Sequence, residues 1–158
     1  MGAIATNVQN KLREYVSVCD FGAVIGGDST TALQAAINSL PNGGTILIPG
    51  NITLSSSITF SGMAGFAVPL RIVGIGAYGT TITVTHSGKA FDARSSNFQA
   101  LMLENLRITG PGKTAAGSIG IDSNFGYGYL DRVSLSLFET GIELRTSNLA
   151  RARQLNII

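Results

Sequence analysis

Leu103-Glu104-Asn105-Leu106-Arg107-Ile108 returns as Leu130-Asp131-Arg132-Val133-Ser134-Leu135 and again as Ala152-Arg153-Gln154-Leu155-Asn156-Ile157. Each copy reads apolar-x-x-apolar-x-apolar. The steps are 27 and 22 residues, a period at which internal repeats mean solenoids or propeller blades. A second series interleaves with the first: Ala90-Phe91-Asp92, Gly120-Ile121-Asp122, Gly141-Ile142-Glu143. One turn of the chain therefore carries at least two short strands, and the next turn lays matching strands alongside. This pattern predicts an all-β parallel β-helix, a solenoid whose long ridged face suits an extended polymer.

The rest of the chain fits that reading. From Thr45 onward only short alternating strands and turns appear, with Gly, Ser, Thr or Asn between them. No amphipathic helix separates consecutive strands, which disfavours βαβ folds. An antiparallel sandwich is the competing all-β reading, and the repeats and the scarcity of two-residue hairpin turns stand against it. Upstream, residues 6–14 read as a short neck helix capped by Thr6, with Ile4, Val8 and Leu12 on one narrow stripe. Residues 15–19 alternate as a strand. Asp28 or Ser29 then opens a second helix, with Leu33, Ala36, Ile37 and Leu40 on one face, and Pro41-Asn42-Gly43-Gly44 stops it. A solenoid needs its terminal coil covered, and this helix is placed to do so. The expected division is a neck or linker helix over 1–14 and capped N-terminal coils of a β-helix over 15–158. The last coil, ending in Leu155-Asn156-Ile157-Ile158, reads as unfinished.

Composition narrows the class. Hydrophobic residues are 44% of the 158 and charged residues 13%, too apolar for disorder and enough for one core. No apolar run is long enough for a membrane span. Net charge is +2 with no basic block, so nucleic acid is not an expected partner. The single cysteine, Cys19, makes no intrachain disulfide. The N-terminus lacks the pattern of a signal peptide. Met1-Gly2-Ala3-Ile4-Ala5-Thr6 matches a bare myristoylation pattern and Asn51-Ile52-Thr53 a glycosylation sequon. A helix start and a turn before a strand are the plainer readings.

The opening is distinctive. Lys11-Leu12-Arg13-Glu14-Tyr15-Val16-Ser17-Val18-Cys19-Asp20-Phe21-Gly22-Ala23 precedes Thr31-Ala32-Leu33-Gln34-Ala35-Ala36-Ile37 and then Gly43-Gly44-Thr45-Ile46-Leu47-Ile48-Pro49-Gly50. Together these resemble the opening of pectate-lyase-like β-helix domains in bacteriophage tailspikes. There a neck runs into an SVxDFGA strand, a capping helix and a GGTxxxPxG first coil. The resemblance covers roughly residues 5–54. Cys19 stands where that opening usually has Lys, and the acidic turn before the helix is thinned to Gly26-Gly27-Asp28-Ser29-Thr30. The resemblance implies a right-handed helix, in line with the general hand of parallel crossovers. It also implies a homotrimeric component of the virion tail, made in the host cytoplasm, that contacts other tail proteins and binds or cleaves bacterial surface polysaccharide. No catalytic motif carries over residue by residue.

The chemistry is less legible. Glycoside cleavage needs two carboxylates at a set separation, and lyase chemistry a base with charge neutralisation. Asp92, Asp122 and Glu143 occupy equivalent places in the repeat and are expected to stack about 4.8 Å apart on neighbouring coils. Like charges that close favour a retained proton, as an acid catalyst needs; the competing reading is solvated outward residues, offset by a turn or relieved by Arg. Asp131 with Arg132, and Glu104 with Arg107, read as surface ion pairs. His86 reads as a loop histidine, and pairing it with Cys19 is disfavoured because Cys19 falls in the opening strand. Gly110-Pro111-Gly112-Lys113-Thr114 ends like a phosphate loop but has Arg107 where the first Gly is required, so it reads as a turn. Phe125-Gly126-Tyr127-Gly128-Tyr129 either projects rings toward a glycan or a second subunit, or packs with Tyr129 turned inward beside Leu130. No metal set or cofactor is expected, and catalytic and substrate-binding residues stay unassigned. The functional expectation is a tailspike segment acting mainly as scaffold, inactive alone within a depolymerase. The alternatives are a non-enzymatic tail connector and a free-standing bacterial polysaccharide lyase or hydrolase.

Overall fold

The computed structural model describes residues 14–65, 67–76, 79–124, 126–144 and 151–158; the expected neck helix, Glu14 apart, lies outside them. β1 (Tyr15–Ser17) runs into a 3-10 turn, Val18–Phe21, and then the helix α1 (Thr30–Asn38). The first full coil is β2 (Gly44–Ile48), β3 (Ile52–Leu54) and β4 (Ile58–Thr59). The second is β5 (Leu70–Gly74), β6 (Thr81–Val84) and β7 (Lys89–Asp92). The third joins two strands into one bent strand, β8 (Leu101–Thr109), before β9 (Ile119–Ser123). The fourth repeats this with β10 (Tyr129–Ser136) and β11 (Thr140–Leu144), and β12 (Arg151–Arg153) and β13 (Asn156–Ile157) open a fifth. Every strand ladder among the described residues is parallel, which excludes the sandwich. The chain is a parallel β-helix, with the right hand that parallel crossovers take.

Three faces run along the solenoid. One is β1-β2-β5, the first halves of β8 and β10, then β12; its column Tyr15, Thr45, Arg71, Met102, Tyr129, Arg151 follows directly from the register. The second is β3-β6, the second halves of β8 and β10, then β13. The third is β4-β7-β9-β11. Inside, the column next to it on the first face is filled by Ile46, Ile72, Leu103 and Leu130, one apolar side chain per coil. A ring stack of Phe91, Phe60 and Phe98 fills the wider part of the bore.

The apolar-x-x-apolar-x-apolar repeat now has a physical cause. In a straight strand, residues three apart face opposite ways. Yet Leu103 and Leu106, and Leu130 and Val133, are all buried. The third position of each copy reconciles them: Asn105, Arg132 and Gln154 have φ of 55°, 53° and 52°. One left-handed residue turns a corner, so the chain points inward on both sides of it. A non-glycine residue there costs about 1 kcal/mol. At Arg132 the side chain offsets this, donating from Nε to Asn105 Oδ1 and pairing through Nη1 with Asp131 at 3.0 Å.

The capping end is closed on all three faces. β1 covers the first. Residues 26–29 cover the second, with Gly26 N donating to Asn51 O and Ser29 N to Thr53 O. On the third, the Gln34 side-chain amide plays the part of a strand: Nε2 donates to Thr59 O and Oε1 accepts from Thr59 N, both at 2.9 Å. This leaves no bare β4 edge of the kind that templates aggregation. The expected strand over 15–19 is shorter than its alternation implied. Ser17 and Asp20 form a reciprocal capping box that turns the chain at Val18, and Gly22 ends that turn at φ 87°. Cys19 is therefore exposed on a turn.

Ser29 precedes α1 without a side-chain cap bond, because its hydroxyl serves Val24. Asp28 does the capping instead, accepting from Thr30 N and Thr30 Oγ1, and from Ser55 Oγ at 2.6 Å. The Ser55 and Thr30 hydrogen bonds lower its carboxyl from 3.8 to about 2. That contribution is complete well above the ordinary value of 3.8 and disappears as pH falls through about 2. The stability gap between the native chain and Asp28→Ala is therefore expected to close between about pH 5 and about pH 2. Urea midpoints across that range check it; a gap independent of pH counts against the Asp28 cap.

Candidate functional site

The repeat places Asp92, Asp122 and Glu143 in one column on the third face, as their spacing predicts. Their surroundings differ from solvated outward residues. Lys89 Nζ lies 3.1 Å from Asp92 Oδ2 and 2.7 Å from Asp122 Oδ2. Arg94 reaches Asp122 Oδ2 at 2.9 Å and Glu143 Oε1 at 3.0 Å. The result is a ladder of five alternating charges across three coils, with Asp122 fully buried at its centre. Lys89 is held in its charged form by these carboxylates, Asp122 first. Asp122 Oδ1 is shut off from solvent and receives no hydrogen bond. The carboxylates are thus spent on cations that tie coil to coil.

A second cluster sits on the first face, and the sequence reading missed it. Glu104, expected in a surface pair with Arg107, is 4% exposed. It takes Arg71 in a bidentate pair and the Tyr129 hydroxyl. The correction has a geometric cause. Two positions along one coil differ by a corner, whereas Arg71, Met102 and Tyr129 are neighbours in register beside Val73, Glu104 and Asp131. The contact is across coils, not along the strand. Arg71 holds the Glu104 carboxyl below its ordinary value. Burial and then Glu104 push the Tyr129 hydroxyl up, so it stays a donor. The signal for this site was available only from the register.

The remaining candidates resolve into structural parts. Asp131 and Arg132 do pair. His86 Nδ1 accepts from Gly88 N at 3.0 Å, and burial lowers its pKa, which keeps the ring neutral in its turn. Residues 110–114 form a turn with no helix after it. Asn51 Oδ1 accepts from Thr81 N, so its side chain joins two coils. Of the aromatic cluster, Tyr127 is 52% exposed and Tyr129 points outward onto Glu104, not inward; Phe125 lies outside the described residues. Among the described residues no group of three or more His, Cys, Asp or Glu is arranged to hold a metal ion. No helix among them is long and apolar enough to cross a membrane.

Two ionic clusters on a solenoid can bind and position, and in the first of them Asp92, Asp122 and Glu143 are each paired with Lys89 or Arg94. No family model matches the chain, and no curated protein matches it in sequence. Solved structures do. The A-module of the mannuronan C-5 epimerase AlgE4 of Azotobacter vinelandii matches with a TM-score of 0.65 at 17% identity, over 90% of this chain and 48% of that one. ORF18 of Geobacillus virus E2 matches with a TM-score of 0.57 at 19% identity, over 95% of this chain and 37% of that one. The chain thus spans less than half the length of either. At these identities the likeness establishes the fold: this chain shares its coiled architecture with a polysaccharide epimerase module and with a phage protein.

Proposed function

We propose that these coils are the front of a phage tailspike that recognises bacterial surface polysaccharide, and that they serve it as scaffold and binding face while the chemistry lies in further coils. The observation that carries the scaffold reading is the pairing of the candidate carboxylates Asp92, Asp122 and Glu143 with Lys89 and Arg94. A carboxylate committed to a cation, as Asp122 is to two, is a poor proton carrier. The tailspike reading is supported by the SVCDFGA and GGTILIPG opening and by the phage origin of one structural neighbour. The polysaccharide reading is supported by the mannuronan epimerase module. The proposal includes a homotrimer, which sedimentation of the chain tests directly.

The functional test is incubation of the purified chain with a panel of bacterial capsules and lipopolysaccharides. The expected result is retention of a polysaccharide without release of oligosaccharides. Release by this chain overturns the scaffold reading. Failure of both this chain and a longer parent to retain any member overturns polysaccharide recognition.

A further inference from the structure

The charged groups of this chain are unevenly committed. Arg71, Lys89, Arg94 and Arg132 are each held by a carboxylate. Arg151 and Arg153 are exposed, and among the described residues neither has an ion pair. They sit two apart on β12, so both project from one side of the strand. Arg151 lies in register with Tyr129, and Arg153 with Asp131. These four residues line an open groove of about 620 Å³. A smaller hollow of about 250 Å³ adjoins it, sharing Tyr129 and Arg151 and reaching Tyr127.

The groove has a prepared floor. Tyr129 cannot swing freely, because its hydroxyl is fixed on the buried Glu104 carboxylate, itself fixed by Arg71. Tyr127 offers an exposed ring at the other end. The one carboxylate on the wall, Asp131, pairs through Oδ2 with Arg132 at 3.0 Å, and its Oδ1 is shut off from solvent without a hydrogen bond. The groove therefore presents aromatic surface and two guanidinium groups with uncommitted charge. Guanidinium forks bind carboxylates bidentately, and amphipathic rings cover the apolar face of a sugar.

We propose that the groove from Tyr127 across Tyr129 to Arg151 and Arg153 is a binding subsite for an acidic glycan, with the arginines taking carboxylates of uronic acid residues. This rests on the polysaccharide-recognition reading and adds to it the charge class of the polymer. The coil repeat sets successive binding positions about 4.8 Å apart along the axis, so an extended chain laid along the face meets further coils in turn.

The test is titration calorimetry of the full 158-residue chain with three probes: a hexauronate, its neutral methyl ester and a neutral hexaglucoside. The hexauronate is expected to bind, and esterification to weaken it about tenfold or more, the loss of one charge-assisted contact. R151Q/R153Q is expected to lose the same factor with an unchanged circular dichroism spectrum, and Tyr127→Ala to weaken acid and ester alike. Equal affinity for acid and ester, indifference to R151Q/R153Q, or no binding of the hexauronate each overturns the subsite. The two readings fail separately. A chain that retains a neutral polysaccharide from the panel but ignores the hexauronate loses the acidic subsite only.

Discussion

Phe60→Ala is expected to lower the stability of the chain by about 3–5 kcal/mol, the range for removing a fully buried phenylalanine. Phe60 is 1% exposed and stacks against Phe98 at 5.0 Å and Phe91 at 6.4 Å. It follows β4 in the first coil, whereas Phe91 belongs to the second and Phe98 lies between the second and third. Its loss opens a void that three coils share, and backbone ladders on every side prevent collapse. Thermal unfolding followed by circular dichroism should show a drop on the order of 10 °C for a chain of this size. Phe60→Leu should keep most of the lost midpoint. A drop of only a degree or two for Phe60→Ala would show that the bore closes over the gap.

Asp122→Ala should cost about 3 kcal/mol, from the opposite kind of interaction. Asp122 is fully buried and Lys89 and Arg94 both converge on its Oδ2. Without it, two cations face each other between Asp92 and Glu143, and the centre of the ladder is uncompensated. A buried ion set replaced as a whole by apolar groups is often neutral or stabilising. The triple variant Asp122→Leu, Lys89→Met, Arg94→Leu is therefore expected to recover most of the loss. Urea unfolding of the two variants checks this, and an equal deficit in both would assign Asp122 to packing alone.

The fold was legible because a solenoid writes its geometry into the sequence at a fixed period. The copies beginning at Leu103, Leu130 and Ala152 and the column Asp92, Asp122, Glu143 could be aligned by eye, and that alignment is the register of the structure. The α1 face was legible for the usual reason, a stripe at helical spacing. Strand ends were less so: alternation runs through Val18 and Cys19, but the Ser17–Asp20 capping box wins locally. The Glu104 cluster was hidden because its partner Arg71 lies in a coil with a weaker repeat, 33 residues away. Lys89 and Arg94 were hidden because they approach the ladder from a strand start and a loop, positions outside the repeat.

The corner after β5 shows what the fold tolerates. Val73 pairs with Glu104 and Thr81 with Arg107, so pairing resumes eight positions on in one coil and three positions on in the next. Thr80 ties the two flanks together: its hydroxyl joins Ile75 N to Ile48 O, and its carbonyl accepts from Arg107 N. Register on both flanks is untouched. Corners are thus places where length is uncoupled from pairing, whereas one residue added inside a strand would turn its apolar positions outward. An insertion at a corner can lengthen a loop, and with it reshape the outer surface, while every ladder keeps its partners. Variation among proteins built this way is then free to accumulate in what faces the environment, and the stack beneath passes unchanged from one to the next.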